Sequence, residues 1–206
     1  MQIWKHVVRT ATVIIMVSLI ACATTPNLTG SWRDENYTGK FQNVLVVGIS
    51  ANQAARRIFE DTVVNSLKAK GVEASALFRV APSDAEPDKD AIEAVVKEKS
   101  FAAVITTRVT GEDSQKRYVE GRAITPPPSY YSTMGGYVGA VGPVVYEPGY
   151  MVDEKRVSLE SNGYDAASGK LVWTITTELF NPSDLNEEVK GLAGLIVRQL
   201  EGSDLI

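Results

Sequence analysis

The chain has 206 residues, 44% hydrophobic and 22% charged, with 16 glycines, 9 prolines and a formal net charge of −4. That balance belongs to one globular domain, or a domain with a tail, and excludes collagen-like, heavily disordered and multi-span membrane proteins. A single cysteine and a single histidine further exclude an internal disulfide framework and a cysteine-based zinc site.

Residues 1–21 have the layout of a secretory leader. Lys5, His6 and Arg9 form a positive start, and Ala11 to Ala21 is an apolar run without charge. Eleven helical residues rise only about 16 Å, too little for a hydrocarbon core of about 30 Å. At its end, Leu19-Ile20-Ala21-Cys22 resembles the lipobox of bacterial lipoproteins, in which a small residue precedes the cysteine that is acylated. The resemblance implies cleavage before Cys22 and lipid on its thiol and new amino terminus. Two or three chains anchor stably where one is marginal. Ala23 follows, not Asp, which under the Gram-negative sorting rule implies the periplasmic face of the outer membrane; a Gram-positive source would place the protein outside the plasma membrane. Cleavage removes Lys5, His6 and Arg9, so 21 basic residues become 19 against 25 acids and the charge moves to −6. The mature chain then has no histidine, and its only thiol carries lipid.

Residues 22–40 read as a tether, and a single domain is expected over 41–206. Asn43 to Ser50 is a near-continuous apolar run, the mark of a strand buried on both faces. Ala51 to Lys70 predicts a helix, with Ala55, Phe59, Val63 and Leu67 on its inner stripe. On its outside, Arg56–Glu60 and Arg57–Asp61 form i,i+4 pairs. Gly71 stands where a left-handed stop is wanted. Val72 to Val80 suggests a weaker strand, Asp88 to Ser100 a helix buried through Ile92, Val95 and Val96, and Phe101 to Thr110 another strand. This β-α-β-α-β order argues for an α/β fold. Residues 126–150 break the pattern: a Pro/Tyr/Gly-rich stretch whose only charge is Glu147. Lys155 to Asp165 and Leu171 to Leu179 then alternate as a hairpin, with Gly169 in the turn and Leu171, Trp173, Ile175 and Leu179 on one face. A last helix is expected from an Asn181 cap and Pro182, with the stripe Leu185, Val189, Leu192, Ile196 and Leu200. The expected architecture is one mixed sheet with helices packed on it.

Two stretches, VLVVGIS…RRIFEDTVVNSLKAKGVEA and SLESNGYDAASGKLVWTIT, resemble uncharacterised lipoproteins of bacterial envelopes. Tyr164-Asp165, Gly169-Lys170-Leu171 and Val172-Trp173 carry the second likeness. The layout is similar to the small amino-terminal α/β domain of the Tol-system propeller protein. Similar domains occur in lipoproteins that activate peptidoglycan synthases or build the curli secretion pore. The resemblance implies a role in envelope assembly or interaction; no pore-forming or activating residue carries over.

The residues argue against catalysis. Without histidine, a serine nucleophile lacks its usual base, and no S-x-x-K or G-x-S-x-G setting occurs. Asp84, Glu86, Asp88 and Asp90 lack EF-hand spacing and suit the positive end of a helix. Glu112-Asp113 and Glu187-Glu188 could act only opposite other acids across a cleft. The Gly48 turn lacks a phosphate-binding pattern, and an acidic exported chain is a poor nucleic-acid binder. No cofactor or metal is expected. Tyr130, Tyr131, Tyr137, Tyr146 and Tyr150 are the partner-binding candidates, since tyrosine offers stiff contact area with a hydrogen-bonding tip. The expected function is therefore a non-catalytic, lipid-anchored outer-membrane lipoprotein that binds or scaffolds an envelope protein or peptidoglycan partner. The alternative is a binder of a small molecule or peptidoglycan fragment in a pocket at the strands' carboxyl ends.

Overall fold

A computed structural model describes residues 26–81, 88–123 and 146–206. The apolar run predicted as a two-sided strand is β2, Asn43–Ile49, and its alternation decides the layering. Val44 and Val46 are wholly buried in one cluster with Phe59, Val63 and Leu67 of α1 (Gln53–Lys68) and Leu192, Ile196 and Leu200 of α4 (Leu185–Gly202). Leu45 and Val47 point the other way, against Val95 of α3 (Lys89–Lys99) and against Phe101 and Val104. Each such side chain contributes about 1.5–3 kcal/mol on burial. Helices thus cover both faces, and an α/β fold follows.

The remaining elements are β1 (Asn27–Arg33), β3 (Glu73–Ala76), the single turn α2 (Leu77–Val80), β4 (Ala103–Val119), β5 (Arg122–Ala123), β6 (Tyr146–Glu147), β7 (Tyr150–Asp165) and β8 (Leu171–Phe180). One mixed six-stranded sheet runs in the order β1-β8-β7-β4-β2-β3. β2 is parallel to both β3 and β4, whereas β4, β7, β8 and β1 pair antiparallel in turn. The chain leaves β2 over α1 to β3 on one side, then returns over α3 to β4 on the other. Strand order therefore reverses at β2.

Side-chain caps fix the helix starts. Asn52 accepts the Ala55 N–H at 3.1 Å and Asp88 the Ala91 N–H at 2.7 Å. The hairpin turns at Gly169, at φ +69°, as its position predicted. Gly71, at φ +81°, ends α1.

Several expectations are corrected. The stretch 22–40 is not tether throughout: β1 joins the sheet edge, pairing Asn27 with Glu178 and Arg33 with Trp173. Its side chains are mostly exposed, so no apolar alternation announces it. Val72 to Val80 is a four-residue strand followed by a helical turn. The last helix is capped by Asp184, which accepts the Asn186 and Glu187 N–H groups; Asn181 sits at φ 48° before it, and its side chain accepts the Lys155 N–H at 2.7 Å. Leu171 is half-exposed, while Trp173, Ile175 and Leu179 fill the core face. β4 continues nine residues past its expected end, to Val119, and β6 and the start of β7 take in the end of the 126–150 stretch.

Candidate functional site

Gly48 closes β2 beneath the first turns of α1. A Cβ there would lie 3.1 Å from Arg56 Cγ and 3.2 Å from Phe59 Cδ1, so the bare backbone lets the helix settle onto the strand end. The Gly48 N–H donates to Glu60 Oε1 at 2.9 Å, and the Phe78 N–H donates to Oε2 at 3.0 Å. Glu60 is wholly buried and Arg56 nearly so. Both were expected outside. The stripe read at strict four-residue steps ignores the 3.6-residue turn, which carries the inner face over 56, 59, 60, 63, 64 and 67. Desolvation pushes the Glu60 carboxyl up from its ordinary value, opposed by the two backbone donors and by Arg56. Asp61 instead receives a bidentate pair from Arg79 at 2.7 and 2.8 Å.

Above this arrangement lies a cavity of about 320 Å³. It opens outside the carboxyl end of β2, where β4 runs on past its parallel partner, between Gly48–Ser50 and Thr107–Val109. Phe59, Val157, Leu159, Leu179, Val189 and Leu192 make its walls apolar, and half-exposed Leu185 stands at the rim. Two buried charged residues, Arg56 and Glu188, also line it. Glu188 is 5% exposed, and its Oε2 has no hydrogen-bond partner among the described residues. A buried acceptor left so costs about 1–3 kcal/mol, which a donor brought by a ligand would offset. Glu188 could have been found in the sequence, since it falls three residues after Leu185 and four before Leu192 on the α4 stripe.

A larger, shallower depression of about 1010 Å³ crosses α3 and the β7–β8 turn. Three of its polar residues bond one another: Tyr37 donates to Asp165 at 3.4 Å, and Asp165 also accepts from the Ser168 backbone and hydroxyl. The Ser168 hydroxyl, its backbone N–H and Tyr37 hold the Asp165 carboxyl below its ordinary value, against some desolvation.

Of the residues singled out in the sequence, Cys22, Tyr130, Tyr131 and Tyr137 lie outside the described residues. Tyr146 belongs to β6, and Tyr150 opens β7, exposed, paired with Val119. Tyr118, directly after the charged run of β4 and also exposed, is a further aromatic outside the expected set. Among the acids, Asp88 caps α3, Glu187 meets Lys190 at 2.7 Å, and exposed Glu112 lies 3.7 Å from Lys155. Asp84 and Glu86 lie outside the described residues. Among the described residues, no three His, Cys, Asp or Glu side chains gather as metal ligands.

No protein-family model and no curated protein matches the chain. It is similar to solved structures. One is a PelC dodecamer from Paraburkholderia phytofirmans, at 15% identity over 85% of this chain and 97% of that one, TM-score 0.46. Another is lipoprotein GNA1162 from Neisseria meningitidis, at 16% identity over 78% and 96%, TM-score 0.40. A minor lipoprotein from Acinetobacter baumannii aligns at 13% identity over 80% and 96%, TM-score 0.34. No residue of the cavity is carried over from them.

Proposed function

We propose that the chain is a non-catalytic lipoprotein, anchored through Cys22 in the outer membrane and facing the periplasm, whose α/β domain holds a small apolar ligand beside α4. The observation that carries the ligand reading is the cavity at the point where strand order reverses, the place where open α/β sheets bind ligands. Its walls suit an alkyl or aryl body better than a sugar. The open oxygen of Glu188 asks that body for one N–H or O–H group. The lipobox supports the anchor, and a domain similar to that of the Tol-system propeller protein would fit the same setting.

N-phenyl-1-naphthylamine, a neutral aryl amine that brightens in apolar surroundings, tests the site directly. The mature protein should bind it saturably. Val109→Trp, at the exposed mouth, should weaken that binding about tenfold while leaving the circular dichroism unchanged. Equal binding by the variant would refute the site.

A second reading, capture of an envelope partner through Tyr130, Tyr131, Tyr137, Tyr146 and Tyr150, draws support from one observation. Past the body of the sheet, β4 and β7 continue as a two-stranded arm that bears exposed Tyr118, Tyr150 and Met151 and leads into residues 124–145.

A further inference from the structure

The parallel ladder between β2 and β4 ends at Ile49 and Arg108. From Gly111 to Val119, β4 pairs with β7 along one edge only. Among the described residues no strand lies along the other edge, and its backbone N–H and C=O groups stand open. Such an edge is a template for another strand unless its charges forbid pairing. Here the charges are ordered rather than scattered. Glu112 and Asp113 come first, Ser114 and Gln115 follow, and Lys116 and Arg117 come last. Side by side in parallel, two such strands would set like against like. Antiparallel, they set acid against base.

We propose that two copies of this chain pair edge to edge through β4, antiparallel, about a two-fold axis at Ser114. A two-fold normal to the sheet keeps each side chain on its own face, so residues whose numbers sum to an even value must oppose one another. With Ser114 opposite Ser114, Glu112 opposes Lys116, Asp113 opposes Gln115 and Gly111 opposes Arg117, each pair occurring twice. Asp113 then also lies diagonal to Arg117 of the other copy. The bulge between Val109 and Gly111 bounds the pairing on one side. The in-chain ion pairs of Glu112 and Arg117 are loose, Glu112–Lys155 at 3.7 Å and Arg117–Glu154 at 3.6 Å, whereas Asp113 accepts from Gln115 of its own strand at 2.8 Å, a bond that pairing exchanges for Gln115 of the other copy. The free edge of β7, Tyr150 to Glu154, lacks this order: its only charges, Asp153 and Glu154, are both acidic, and the Lys155 backbone is already bonded to Asn181. The product is a four-stranded ribbon, β7-β4-β4-β7, joining two domains. This inference stands on the β4 edge and is independent of the cavity.

Cysteine crosslinking of the full-length protein in its native membrane tests it. Ser114→Cys should give a disulfide-linked dimer under mild oxidation. Glu112→Cys alone and Lys116→Cys alone should not, while the two co-expressed with different tags should give the mixed dimer. Reversing the acids (Glu112→Lys with Asp113→Lys) in the Ser114→Cys background should lower the yield about tenfold, and adding Lys116→Glu with Arg117→Glu should restore it. Proteolytic resistance of each variant confirms that it folds. Three results would overturn the proposal: a folded Ser114→Cys protein that stays monomeric, Glu112→Cys that dimerises as well as Ser114→Cys, or crosslinks to another protein in place of a copy.

Discussion

Glu60 shows what one side chain can do at a strand end. Its two oxygens accept N–H groups from Gly48 on β2 and Phe78 on α2, so one carboxylate pins the ends of two elements to α1. Glutamine offers a single acceptor, and Glu60→Gln should cost about 1–3 kcal/mol by leaving one buried N–H unmet. The pH dependence has a definite sign. Burial raises the folded-state value above the unfolded one, so the folded state holds the proton more tightly, and this contribution to stability falls as pH rises through that window. Urea titrations from acid to neutral pH should therefore show the wild-type advantage over Glu60→Gln shrinking. A constant difference would contradict the desolvation account. The residue was legible in the sequence only in part: its spacing from Val63, Val64 and Leu67 places it inside, while its charge and its i−4 arginine suggest a surface pair. Turn geometry won.

At the scale of elements, visibility in the sequence follows burial. β2, α1, α3, α4 and the β7–β8 hairpin each bury one face or two, and their apolar periods marked them. β1 and the outer half of β4 are paired strands with little to bury, so NLTGSWR and GEDSQKRYV carry no alternation. Backbone hydrogen bonding alone leaves no trace in residue order. The same logic bears on the tyrosine-rich stretch. Because β5 and β6 pair with each other and β7 with β4, the arm closes on itself before residue 124 and after residue 145. Removing residues 126–145 should then leave the melting temperature of the sheet within a few degrees. If the partner reading is right, the same deletion abolishes capture in an in-cell crosslinking pull-down; undiminished capture would reject it.

For the whole molecule, the layer order and the reversal at β2 make a crevice at the carboxyl end of β2, and the sequence supports the expectation of a pocket at the strands' carboxyl ends only as far as that location. Its depth and the polar atoms within it depend on contacts between α1, α4 and β7, far apart in the chain, and no local pattern reports those. The anchor is a separate matter, checked by radiolabelled palmitate: the label should enter the wild type and vanish in Cys22→Ala. Labelling of the variant would remove the lipid from Cys22.

An acylated Cys22 would make the start of β1 more telling than its place at a sheet edge suggests. Five peptide units reach from that cysteine to Asn27, a leash of at most about 18 Å. Asn27 stands level with Glu178, Ser158 and Gly111 across the sheet, at the end from which the arm departs. Eight further residues carry the arm onward by about 27 Å. With that anchor, a leash shorter than the limb beside it would forbid an upright stance, and the body would recline with its strands slanting along the lipid surface.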